Sequence, residues 1–266
     1  MIDFNGTYYD TEELVLPWST SLIHKGYQVS QYLLMKDYQP LFVEEHYLKV
    51  IAQMRILRMT IPMTYTPDLF HKVLLKYCNR CDVSDGVLRL SFFEQAEHKI
   101  AYVIEFLEAK NIEAVQMDLY NDFYIQEGRH RFVTTHFNRL YELASRYAYD
   151  QEMDGCFILN STKQLADSNL GTVFCVKDQK VVTPSLTSGT LDLVSRIKMM
   201  EWIKQDNKYE VAEEDHTPFY LQKMDAVFLY SFNSGIIPVR QYRKKQYQVA
   251  LCSYFKELVE KSCLIQ

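Results

Sequence analysis

The stretch Asp154-Gly155-Cys156-Phe157-Ile158-Leu159-Asn160 decides the fold. Its apolar run Cys156–Asn160 reads as a strand, bounded by the turn-forming Asp-Gly in front. Working outward, a helix is expected from about Asn138 to Tyr149 before it, with strands at Gly171–Val176 and Lys180–Thr183 after it. A helix from about Leu191 to Ile203 follows, and Thr217-Pro218 opens another short one. Ala226–Ser231 and Ile236–Arg240 read as strands, and Gln246–Val259 as a closing amphipathic helix. This half is strand-rich and mixed with helices.

Upstream, the polar stretch Tyr120–Arg131, with Gly128 inside it, separates two regions of different pattern. It predicts an N-terminal α+β domain over 1–120, a linker over 121–131 and a C-terminal α/β-barrel-like domain over 132–266. In the first domain Ile2–Tyr9 and Tyr27–Met35 read as strands, and Asp37-Tyr38-Gln39-Pro40 turns into a further strand at Leu41-Phe42-Val43. Between His46 and Met59, residues Tyr47, Val50, Ile51, Met54 and Leu57 recur at three- and four-residue steps, which makes a helix with one buried face. Thr66-Pro67-Asp68 is a helix start, with a capping hydroxyl and proline at the first helical position, and Phe70, Val73, Leu74 and Tyr77 continue its buried face. Gly86–Phe93, Ile100–Leu107 and Val115–Leu119 complete an antiparallel sheet covered by helices.

With 266 residues, 48% of them apolar and 24% charged, the chain can bury a real core and is not built as a disordered or fibrous protein. A net charge of −5 argues against nucleic acid and anionic lipid as partners, in spite of 20 tyrosines. No run is long and apolar enough to cross a bilayer and the first residues are unlike a signal peptide, so a cytoplasmic protein is expected. The six cysteines are scattered, and Cys78-Asn-Arg-Cys81 lacks the second pair a zinc site would need, so reduced thiols and no metal are expected. Glycine-rich phosphate loops and the G-x-S-x-G elbow are absent.

Asp154–Asn160, Leu165–Phe174, Val182-Thr183-Pro184-Ser185-Leu186 with Gly189 and Arg196, and Asp225–Tyr230 leading into Gly235-Ile236-Ile237-Pro238-Val239 occur in the order and at the spacing of one family. In these strings the chain resembles the class IV aminotransferases along nearly its whole length. Thr135-His136-Phe137-Asn138-Arg139-Leu140 is most similar to the Lys-His-Leu-Asn-Arg-Leu segment of the 4-amino-4-deoxychorismate lyases. The resemblance implies an α+β, two-domain fold-type-IV architecture like that of D-amino-acid aminotransferase. It also implies pyridoxal phosphate and a small-molecule ligand in a cleft between domains, and a homodimer.

Position by position, the resemblance carries over unevenly. The family's Schiff-base lysine corresponds to Thr135, and a one-residue slip would put Thr134 there. A hydroxyl can neither form an imine nor act at neutral pH as the base that a desolvated lysine becomes. The glutamate facing the pyridine nitrogen corresponds to Asp167, one methylene shorter, and the phosphate-gripping arginine to Lys49, which keeps the charge without the fork. The glycine-containing phosphate turn becomes Leu193-Val194-Ser195-Arg196, so that Val194 and Ser195 would offer the amides, and a second hydroxyl contact falls on Tyr230, followed by Ser231. An asparagine is replaced by Thr172, and the Gly-Asp-Gly-Val-Phe-Glu string by Gly26-Tyr27-Gln28-Val29-Ser30-Gln31. His46 is expected to pack, and His136, which the lyase string already contains, needs no new role.

Three functions follow. The first is a relative impaired or inactive in Schiff-base chemistry, a pseudoenzyme that binds a ligand or regulates a partner. The second is an active lyase or aminotransferase that uses an amine from an unexpected place. The third is a cofactor-independent activity, or simple ligand binding, lined by Asp167, Ser195, His136 and tyrosines.

Overall fold

A computed structural model describes residues 1–16, 20, 27–108, 112–126, 128, 133–134 and 138–264. The chain divides into two compact units, one of Met1–Ala109 with Phe132–Phe137, the other of Lys110–Arg131 with Asn138–Gln266.

The first unit is an antiparallel sheet of β1 (Ile2–Phe4), β2 (Thr7–Tyr9), β3 (Gln28–Lys36), β4 (Gln39–Pro40), β5 (Gly86–Glu94) and β6 (Ile100–Leu107), in the order β2-β1-β6-β5-β3-β4. Two helices, α1 (Val43–Ile56) and α2 (Pro67–Cys81), pack on it through Val50, Met54, Leu74 and Tyr77, against Val29, Leu33, Leu88 and Ile104 of the sheet. The Thr66 hydroxyl accepts from Leu69 N–H at 3.2 Å, the expected cap of α2. Helix α1 starts earlier than its apolar stripe suggests, because Phe42 takes a left-handed φ of 57° and Glu44 and Glu45 fill the first turn, where negative charge is favoured. The segment Ile2–Tyr9, which the pattern reads as one strand, is a hairpin. Asn5 and Gly6 have φ of 51° and 87°, the conformation an Asn-Gly turn supplies.

The second unit is a sheet of β7 (Val115–Ile125), β8 (Gly155–Asn160), β9 (Leu165–Ser168), β10 (Thr172–Lys177), β11 (Lys180–Thr183), β12 (Glu210–Glu213), β13 (Ala226–Ser231), β14 (Gly235–Tyr242) and β15 (Lys245–Gln246). Its order is β12-β11-β10-β13-β14-β7-β8-β9, with β15 beside β14. The two ends approach one another: Leu165 N–H, at the start of β9, donates to the His216 carbonyl just beyond β12 at 2.7 Å. Helices α3 (Arg139–Asp150), α4 (Val194–Asp206) and α5 (Leu251–Leu264) flank this curled sheet.

The boundary expected at 121–131 needs correction. Strand β7 pairs in parallel with both β8 and β14, so it belongs to the second sheet and not to the first. The polar run that reads as a linker begins inside that strand. The pairing with β8 slips between Tyr120 and Ile125, and the exposed residues Asn121, Asp122 and Phe123 lie in the bulge. The short strands β9 and β12 are also missed by the pattern. All four residues of β9 are buried although two are polar, which hides the strand from any apolar count.

Candidate functional site

Thr135 and His136 lie outside the described residues. Their neighbour Thr134 is described, and its surroundings in the first unit are well defined. Thr134 is 7% exposed. Its hydroxyl accepts from Gln53 Nε2 at 3.1 Å, and its carbonyl accepts from Ser30 N–H at 2.8 Å. Gln53 Oε1 in turn accepts from Gln31 Nε2 at 3.2 Å, and Gln31 Oε1 lies 3.1 Å from His46 Nδ1. His46 is therefore a buried residue of α1 at the end of this relay. Lys49, one turn further along α1, is half-buried in this unit.

The remaining candidates belong to the second unit. Asp167 on β9 is 2% exposed. Its Oδ2 accepts from the Tyr141 hydroxyl at 2.5 Å and from Leu191 N–H at 3.3 Å, and its Oδ1 from Ser168 N–H at 3.0 Å. The Leu191 contact brings Asp167 together with the approach to α4, whose first residues Val194 and Ser195 are buried and whose N-cap, Leu193, gives no side-chain hydrogen bond. Arg196 is committed elsewhere: its Nη2 donates to the Pro184 carbonyl at 2.9 Å and pairs with Glu213 of β12.

Tyr230 and Thr172 face one another across β13 and β10. Both are 1% exposed, and neither hydroxyl has a hydrogen-bond partner among the described residues. Trp202 of α4 and Phe232 meet the Tyr230 ring edge-on, and burial pushes its phenol well above the usual range. Ser231 Oγ accepts from Ser234 N–H at 3.2 Å. Gly171 is required beside this pair, since a Cβ there would stand 3.0 Å from the Tyr230 carbonyl oxygen. Tyr141 is absent from the residues that sequence reasoning singles out. No local pattern in the sequence marks its contact with Asp167.

Pyridoxal phosphate needs an amine for its aldehyde, a carboxylate with a lone pair for its ring nitrogen and a seat for its phosphate. Several groups of the second unit that could meet the first two needs are already engaged. Lys163 lies over the Tyr124 ring, while Lys177, Lys180 and Lys198 are paired with Asp225, Glu214 and Glu201. The Asp167 carboxylate is engaged by three protein donors. What the second unit offers here is a pair of buried hydroxyls, Thr172 and Tyr230, and a carboxylate bonded to the approach to α4.

Cys78 is a core residue whose thiol lies 3.8 Å from the Met35 sulfur. Burial pushes that thiol up to about 12, which makes it unreactive. No helix among the described residues is long and apolar enough to cross a membrane.

Residues 29–242 match the family described as amino-transferase class IV. A probable branched-chain-amino-acid aminotransferase of Thermotoga maritima is 31% identical over 96 residues, 34% of this chain and 34% of that protein. An aminodeoxychorismate lyase of Vibrio harveyi is 29% identical over 105 residues, 39% of this chain and 38% of that protein. The match thus spans little more than a third of either curated relative's length. The crystal structure of a branched-chain aminotransferase from Thermoproteus uzoniensis with norvaline superposes with a TM-score of 0.85 at 15% identity, covering 98% of this chain and 93% of that one. The fold is therefore the two-unit, fold-type-IV architecture that the sequence strings imply.

Proposed function

The chain belongs to the class IV aminotransferases, whose chemistry runs on pyridoxal phosphate, and from that premise we propose that it is a member without Schiff-base chemistry, acting as a ligand-binding or partner-regulating homologue. The observation that carries the reading is Thr135 where the lyase-like string has its lysine. The slipped register gives no amine either, because Thr134 is a hydroxyl residue bonded to Gln53. The second unit supports the same reading, since its carboxylate at 167 is held by Tyr141.

The test is the visible spectrum of the purified protein saturated with pyridoxal phosphate, then borohydride reduction and intact mass. A spectrum of free aldehyde and an unchanged mass are expected. An imine band with a reduced adduct would overturn the proposal in favour of an active lyase or aminotransferase. Peptide mapping would then look first at Lys198, the lysine 8% exposed on α4. The same family membership leads us to propose a two-fold homodimer, to be checked by light scattering on the purified chain.

A further inference from the structure

Asp167 stands on β9 opposite Ile158 of β8, deep in the second unit. A carboxylate accepts along about four lone-pair directions. Among the described residues three of them are taken, by the Tyr141 hydroxyl at 2.5 Å, Leu191 N–H at 3.3 Å and Ser168 N–H at 3.0 Å. The donors come from the first turn of α3, from the stretch leading into α4 and from β9 itself. The phenol bond is charge-assisted and belongs to the stronger class of hydrogen bonds. An aspartate keeps its carboxylate one methylene nearer its own strand than a glutamate would, and in this place the Tyr141 hydroxyl reaches it.

We propose that the Tyr141 phenol has taken the donor place that a ligand's protonated ring nitrogen would fill, so that Asp167 is a positioning residue for the approach to α4. The second unit then does not select its ligand through a basic ring nitrogen. The inference deepens the reading above by excluding that mode of recognition. It uses probes without an aldehyde, so that it stands or falls separately from the question of the imine.

Two measurements test it. In the protein without ligand, Tyr141→Phe and Asp167→Ala each lower the unfolding midpoint, and the double variant falls no further than the worse single one, because the two side chains serve one contact. Should the alanine variant fail to fold, Asp167→Val, which likewise offers the phenol no acceptor, replaces it in the cycle. Additive losses would overturn the proposal. The second measurement is calorimetric binding of pyridoxine 5′-phosphate against its analogue with CH in place of the ring nitrogen. The wild-type chain is expected to bind both equally or neither. Tyr141→Phe, which removes one of the two donors that Oδ2 has among the described residues, is expected to favour the nitrogen-bearing ester over its analogue by about tenfold, the worth of one charged hydrogen bond. A wild-type preference of that size, lost in the Asp167 variant, would overturn it. If neither ester binds to any form, the cycle alone decides. A borohydride adduct would sink the proposed function and leave both readouts standing.

Discussion

Two buried polar layers in this protein are finished to different degrees. In the first unit His46, Gln31, Gln53 and Thr134 pass hydrogen bonds along a chain, and Ser30 and Ser91 bond to each other at 2.8 Å. In the second unit the hydroxyls of Thr172 and Tyr230, equally buried, have no partner among the described residues. An unsatisfied buried polar group costs about 1–3 kcal/mol, whereas a satisfied pair contributes modestly. The first layer is therefore a structural element that holds Thr134. The second keeps two buried hydroxyls without a partner among the described residues.

The contrast can be broken most forcefully at Gln53. Gln53→Ala removes the donor to Thr134 and the acceptor for Gln31, leaving two buried groups without partners, and should destabilise the chain by roughly 3 kcal/mol in urea unfolding. A loss under about 1 kcal/mol would mean that the relay is decoration and that the layers do not differ. Next comes Gly171→Ala, whose Cβ meets the Tyr230 backbone at 3.0 Å. Backbone cannot yield as a side chain can, so a loss of about 2 kcal/mol is expected in the same experiment. Tyr230→Phe should have the opposite sign. It deletes a hydroxyl without a partner among the described residues and keeps the ring against Trp202. Stability should then be unchanged or rise by about 1 kcal/mol. A clear loss would show that the phenol is bonded and that the second layer is as finished as the first.

The same contrast explains which features the sequence discloses. Helix α2 is readable because its start is local chemistry, a Thr66 cap and Pro67, and its face repeats Phe70, Leu74 and Tyr77. The order of β13 and β14 follows from two apolar runs around a turn. Strand β9 is hidden because Asp167 and Ser168 look like loop residues, and they are buried only because Tyr141, Leu191 and the Gly171 carbonyl satisfy them. Strand β7 reads as part of the wrong sheet, since parallel pairing with β8 leaves no local mark. The Asn5-Gly6 hairpin, by contrast, is open to reading from its dipeptide. Of the candidate site, the family positions can be named from sequence, but the contact of Tyr141 with Asp167 joins residues 26 apart and is decided by packing.

The smallest effect is also the one that separates the two units by sign. In the second unit Glu214 is held below its ordinary value of 4.5, first by the Lys180 hydrogen bond and then by His216. A carboxylate with a depressed folded value gives stability that is present above about pH 4.5 and lost as pH falls through the folded value. In the first unit burial raises Asp3 from 3.8, against the opposing Gly6 N–H bond. Its contribution is present below pH 3.8 and lost as pH rises through the raised folded value. Thermal unfolding followed from pH 7 to pH 3 should therefore show Glu214→Gln losing less stability on acidification than the wild type. Asp3→Asn should lose more, because the wild-type residue is gaining over that range. Glu214 is partly exposed, so its share is small and screened by salt. If both variants shifted the profile in the same direction, the carboxyls of the two units would not be held in opposite electrostatic settings, and the Asp3 site would have to be as well solvated as the Glu214 pair.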